Sequence, residues 1–133
     1  MRALSLRPEW AMPVLLGQKT VECRTWRTSY RGELLICASS RPLRAGAIAG
    51  YALCKVLLVG VRPFEEADLA AALLEDAPEG AYAWELADLR LIEPFPVKGK
   101  LGLFEVPDSS IKEIPSDMSR LRALRTYYEP LLQ

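Results

Sequence analysis

The sequence predicts an α+β domain built as a small β-barrel flanked by short helices. Three observations point there. Apolar patterning runs strand, helix, several strands, helix, strands, helix along the chain. The strand-rich middle lacks the crossover helices that a doubly wound sheet requires. The 133 residues, half of them apolar or aromatic, suit a single domain over 1–133 that buries roughly two-thirds of its unfolded surface.

Residues 2–6 alternate and read as a first strand. Pro8 opens a helix through Leu16, because proline at a helix start gives up an N–H that has no partner anyway. Pro13 keeps that helix short or kinked, and Gly17 is a left-handed stop. Residues 19–26, rich in Thr, Val, Cys and Trp, read as a strand. After a turn over 28–32, residues 33–38 form another strand. Its consecutive Leu34, Leu35 and Ile36 predict cover on both faces.

Residues 39–46 are a loop containing Pro42 and Gly46. Residues 47–61 suit one long strand that bends at Gly50 and Gly60. Residues 65–76 read as a helix, with Leu69, Leu73 and Asp76 near one face and acids at its start. A strand over 82–93 switches its apolar parity between Leu86 and Leu89, which predicts a bulge. Residues 101–106 alternate as the last strand. Ser116 then caps a helical extension over about 116–130, with Met118, Leu121, Leu124 and Tyr128 on one stripe and Pro130 as its stop.

Composition excludes whole classes of chemistry. There is no histidine, so no Ser-His-Asp triad, no histidine base and no histidine metal ligand can form. Cys23, Cys37 and Cys54 are odd in number and make no CxxC pair. They read as small buried hydrophobes in a reducing compartment rather than as a metal set or a disulfide framework. No apolar run approaches the ~18 residues of a membrane helix, and the N-terminus lacks a signal-peptide pattern. The expectation is a cytoplasmic protein with no metal, no cofactor and no membrane partner.

Charge is balanced in sum, with 17 basic and 17 acidic residues, but segregated in sequence. Residues 1–47 carry eight basic residues against three acids, whereas 65–89 carry eight acids and no base. One reading is an anion-binding face backed by an acidic one; the other is two solvated faces. The acidic stretch is also a candidate protein-contact face.

The densest polar cluster is Gly17-Gln18-Lys19-Thr20-Val21-Glu22-Cys23-Arg24-Thr25-Trp26-Arg27. On a regular strand Thr20, Glu22, Arg24 and Trp26 share one face. Glu22 and Arg24 are then close enough to pair. A guanidinium held by a carboxylate is rigid enough to fork onto a phosphate or a base edge, and Trp26 offers a stacking surface. The alternative is an exposed ion pair with little energetic consequence. Trp10, near the helix start, is a further candidate for the cleft wall. Lys98 and Lys100 flank Gly99 in a loop and read first as ordinary exposed lysines.

Leu4-Ser5-Leu6-Arg7-Pro8-Glu9-Trp10-Ala11, Gly17-x-Lys19-x-x-Glu22-x-Arg24-x-Trp26 and Tyr30-Arg31-Gly32-Glu33-Leu34-Leu35-Ile36, then Ala38-Ser39, together resemble the ASCH domain family. Tyr82-Ala83-Trp84-Glu85-Leu86 and Pro94-Phe95-Pro96-Val97-Lys98-Gly99-Lys100-Leu101-Gly102-Leu103-Phe104 match its second half, so the resemblance spans about 2–106. It implies a PUA-like β-barrel flanked by helices. It also implies a cleft between the first helix and the barrel, using Lys19, Glu22 and Arg24 with Ser39 and Ser40 as neighbours. The implied partner is RNA, another nucleic acid or a nucleotide.

Some family members are metal-free amidohydrolases acting on acetylcytidine, with a threonine three residues after the lysine; others are described as ribonucleases. Here that threonine position is Glu22, and Thr20, adjacent to Lys19, would point to the face opposite the lysine. The alternative function is therefore a small hydrolase of a modified nucleoside or RNA, with Lys19 and Glu22 as the catalytic candidates.

Overall fold

Six strands hydrogen-bond into one curled sheet in the order β2-β5-β4-β3-β1-β6. The structure, a computed structural model, describes residues 1–40 and 46–132. β1 (Arg2–Leu6) runs parallel to β3 (Gly32–Ala38) and antiparallel to β6 (Leu103–Glu105). β4 (Tyr51–Pro63) pairs antiparallel with β3 and with β5 (Tyr82–Pro96), and β2 (Val21–Arg24) lies antiparallel on the far edge of β5. Among the described residues the three short α-helices are α1 (Pro8–Leu15), α2 (Leu69–Ala72) and α3 (Arg120–Ala123). This is the α+β class with flanking short helices that the sequence predicts, the expected small barrel being a sheet curled into a half-barrel. The loop expected over 39–46 lies largely outside the described residues.

β3 explains why the sheet curls around a core on both sides. Leu34 and Ile36 pack in the main core with Leu4, Leu6, Val14, Leu15 and Trp84. Leu35 and Cys37 join Ala52, Ile92 and Phe104 in a second cluster. The unbroken apolar run of β3 is thus buried on both faces, as expected. Cys37 and Cys54 are buried hydrophobes. Burial pushes the Cys37 thiol up to about 12 and the Cys54 thiol higher still, so neither is a thiolate near neutrality.

The predicted bulge in β5 is present. Lys55 pairs with Arg90 but Leu57 pairs with Ala87, so one extra residue is accommodated there, and Asp88 adopts a left-handed conformation at φ 50°. Several expected elements come out differently, among them the last strand, which narrows from 101–106 to Leu103–Glu105, and the long strand of 47–61, which starts at Tyr51. The strand over 19–26 shrinks to Val21–Arg24. The Thr20 N–H bonds to Ala71 O at 3.1 Å, and Trp26 O accepts the Trp84 indole at 3.1 Å, so both ends leave the ladder.

The helix over 65–76 is also shorter. It has one 3-10 turn (Glu66–Asp68) followed by α2, and it ends where Leu73 turns left-handed at φ 57°. Leu73 is 42% exposed, so the leucine spacing does not mark the buried face; Asp68 and Ala72 do.

The C-terminal stretch is capped by Ser119, not Ser116. Ser119 Oγ accepts from Arg122 N at 3.2 Å. After α3 the chain makes a π turn (Leu124–Tyr128), which brings Ala123 and Tyr128 to the core five residues apart and leaves Leu121 60% exposed. No helix among the described residues is long and apolar enough to cross a membrane.

Candidate functional site

The site forms where α1 ends, β2 begins and the acidic segment after β4 folds back. Arg7 leads into α1, with its carbonyl accepting from Trp10 N and Ala11 N at 2.9 Å. After Gly17 (φ 74°) the N–H groups of Gln18 and Lys19 both bond to Pro13 O, at 2.9 and 3.1 Å. This turn delivers Lys19 inward instead of to solvent. Lys19 and Glu22 are both buried.

The Lys19 ammonium is surrounded. It donates to Ala72 O at 2.5 Å, stands 3.4 Å from Glu22 Oε1, and lies 4.9 Å from the centre of the Trp10 ring. Burial lowers its pKa from the ordinary lysine value, and the Glu22 carboxylate opposes that shift. The other Glu22 oxygen accepts from Arg24 Nη1 at 3.1 Å. Arg24 is half-buried, with its guanidinium carbon 5.5 Å from the Trp26 ring centre. Glu22 therefore bridges a buried cation and a more accessible one. Its remaining lone pairs, and the other donors of Arg24, are available to a ligand.

Trp10, Lys19, Glu22 and Arg24 line a cavity of about 340 Å³ whose wall is completed by Leu74, Asp76 and Pro78. That volume is at the small end of ligand pockets. Arg62 clamps the same acidic segment to the sheet, donating to both Asp68 carboxylate oxygens at 2.8 and 2.7 Å. Asp68 also accepts from Glu65 N at 2.8 Å.

Next to this cavity, sharing Leu6, Arg7 and Arg24 with it, lies a wider groove of about 950 Å³. Ser39, Ser40, Lys98 and Lys100 line it.

The candidate residues thus divide. Trp10, Lys19, Glu22 and Arg24 meet in the inner cavity; Ser39 and Ser40 join Arg24 in the outer groove. Trp26 lines neither space. It packs edge-on against the buried Trp84, with ring centres 4.7 Å apart, and pins the end of β2. Thr20 is exposed and also lies outside both.

Sequence reasoning missed the wall at Leu74, Asp76 and Pro78 and the Ala72 carbonyl. No local motif signals these, because they arrive through a contact 53 residues away in sequence. It also missed Cys23, half-buried in the cavity wall, whose thiol is pushed up by burial and by Glu22. Among the described residues no group of three or more His, Cys, Asp or Glu is placed to hold a metal ion.

Fold and site together define a small half-barrel protein with a polar cleft between its first helix and the edge strand β2. The ASCH domain family model matches residues 4–96, and the chain belongs to that family. The ASCH protein of Zymomonas mobilis is similar in structure at 21% identity, with a TM-score of 0.63 covering 81% of this chain and 88% of that one. A Tyr-to-Phe variant of that protein superposes with a TM-score of 0.62 at 21% identity, covering 80% and 90% of the two chains. No curated protein matches the sequence.

Proposed function

We propose that the protein binds RNA or a nucleotide in the cleft between α1 and β2. One observation carries this reading: Glu22 ties buried Lys19 to accessible Arg24 on the wall of a cavity that also holds Trp10. An arginine held by a carboxylate is oriented in advance for a phosphate or a base edge. Glu22 retains acceptor capacity for a base amine, and Trp10 adds an aromatic surface to the cavity lining. The basic first third of the sequence supports an anionic ligand.

The test is binding of the pure protein to a panel of ribonucleosides, nucleotides and short RNA and DNA oligomers at two salt concentrations, beside Arg24→Glu and Lys19→Ala. Binding weakened at least roughly tenfold by Arg24→Glu, and weakened by salt, supports the reading. Affinity indifferent to both substitutions overturns it.

A second reading, a metal-free hydrolase of a modified nucleoside or RNA, is favoured by the lowered pKa of Lys19. Burial makes its neutral, basic form more accessible than that of a solvated lysine. Turnover of acetylcytidine or RNA above a Lys19→Ala control supports that reading, and equal rates in the two proteins remove it.

A further inference from the structure

The outer groove has a charge pattern unlike that of the inner cavity. Among the described residues lining it are four cations, Arg7, Arg24, Lys98 and Lys100, and no acid. The inner cavity pairs Lys19 and Arg24 with Glu22 and has Asp76 as a second acid in its lining. Lys98 and Lys100 are held in place by their backbone. A Cβ on Gly99 would overlap Ser5 Oγ and stand 2.9 Å from Ser5 Cβ, so only glycine lets this loop press against β1. Val97 N bonds to Gly50 O at 3.0 Å just before it. Both lysines are exposed, so their ammonium groups are solvated and open to a ligand.

We infer that this groove is a track for the phosphodiester backbone of a single-stranded nucleic acid, one base of which enters the inner cavity. The inference rests on the nucleotide-binding reading of the cleft and adds that the preferred ligand is a strand, not a free nucleotide. Four cations with no acid suit a run of phosphates, because each cation that meets a phosphate releases condensed counterions. Arg7 and Arg24, shared by both spaces, sit where the backbone would hand a base inward. A base can enter only when unpaired, which excludes an intact duplex. The contacts are to phosphate, so RNA and single-stranded DNA share this chemistry.

The experiment measures affinity and salt dependence of the full chain for ribonucleoside monophosphates and for short single-stranded RNA and DNA of mixed sequence. Wild type is compared with the double variant Lys98→Ala/Lys100→Ala, whose exposed substitutions leave the core untouched. The expected result is oligomer affinity reduced roughly tenfold, and a log–log salt slope shallower by about 1.4, with mononucleotide affinity unchanged. Equal loss on RNA and DNA assigns the contacts to phosphate; a loss confined to RNA moves them to the 2′-hydroxyl and overturns the track. If oligomers bind wild type no better than mononucleotides, or the double variant leaves the slope unchanged, the track is wrong while the cleft reading stands. If neither class binds wild type, both fail.

Discussion

Lys19 and Glu22 form a buried ion pair, Nζ 3.4 Å from Oε1, with side chains only 1% and 6% exposed. Such a pair is costly to break from one side, because the surviving charge stays buried without its partner. Glu22→Gln leaves Lys19 with the Ala72 carbonyl and the Trp10 ring alone. The expected cost is about 3 kcal/mol, read from urea denaturation midpoints. Adding Lys19→Met removes the stranded charge and should recover part of it. A double variant as unstable as Glu22→Gln would show that the pair does not govern stability.

Lys19 also makes stability depend on pH in a defined direction. Its folded pKa lies below the unfolded value of 10.5, chiefly through burial. Between those two values the unfolded chain holds a proton that the folded chain has released, so stability rises with pH across that window. The difference in stability between wild type and Lys19→Met should grow in the wild type's favour as pH climbs toward 10.5. A difference flat over the alkaline range contradicts the burial seen here.

Asp68 sets the opposite limit. The Arg62 guanidinium, helped by the Glu65 N–H, holds its carboxyl down to about 2. A depressed carboxylate stabilises the fold above its unfolded value of 3.8, and that stability is lost as pH falls toward about 2. Asp68→Asn should be less stable than wild type at neutral pH, with the gap closing through that acid window. Because this clamp also holds the segment bearing Ala72 and Asp76, Asp68→Asn should weaken ligand binding as well. Unchanged affinity would show the wall to be fixed by other contacts.

The sheet and most of the site's cations were legible because they rest on local patterns. The double-sided run of β3, the β5 parity switch and the polar spacing of Lys19, Glu22 and Arg24 are each written in consecutive residues. What escaped depends on distant closure. Tyr128 looks like one more stripe residue, yet its hydroxyl lies 2.6 Å from both Leu53 O and Ile92 O, where the β4–β5 register shifts. Leu73 looks like a core position because its spacing suits a helix, but the helix ends there. Trp26 follows the strand's alternation on paper, whereas the buried Trp84 draws it out of the cleft.

Arg120 lies beyond the residues matched to the family, and it supports the turn that aims Lys19. Its Nη2 donates to Leu15 O at 2.7 Å, satisfying a carbonyl that the end of α1 leaves open. The same guanidinium packs over Gly17, where a Cβ would come within 3.1 Å of it. The following two N–H groups bond to Pro13 O, so the conformation of this turn fixes where the Lys19 side chain starts. Arg120→Met keeps the aliphatic packing and removes the donor. The expected result is a loss of about 1 kcal/mol of stability, small because Arg120 is largely exposed. Ligand affinity should fall severalfold, with a changed Trp10 fluorescence response on binding. Lower stability with wild-type affinity and fluorescence would make Arg120 a brace for α1 alone. Loss of both would make the C-terminal segment a working part of the cleft, since a displaced Lys19 also releases its hold on Glu22 and, through it, the orientation of Arg24.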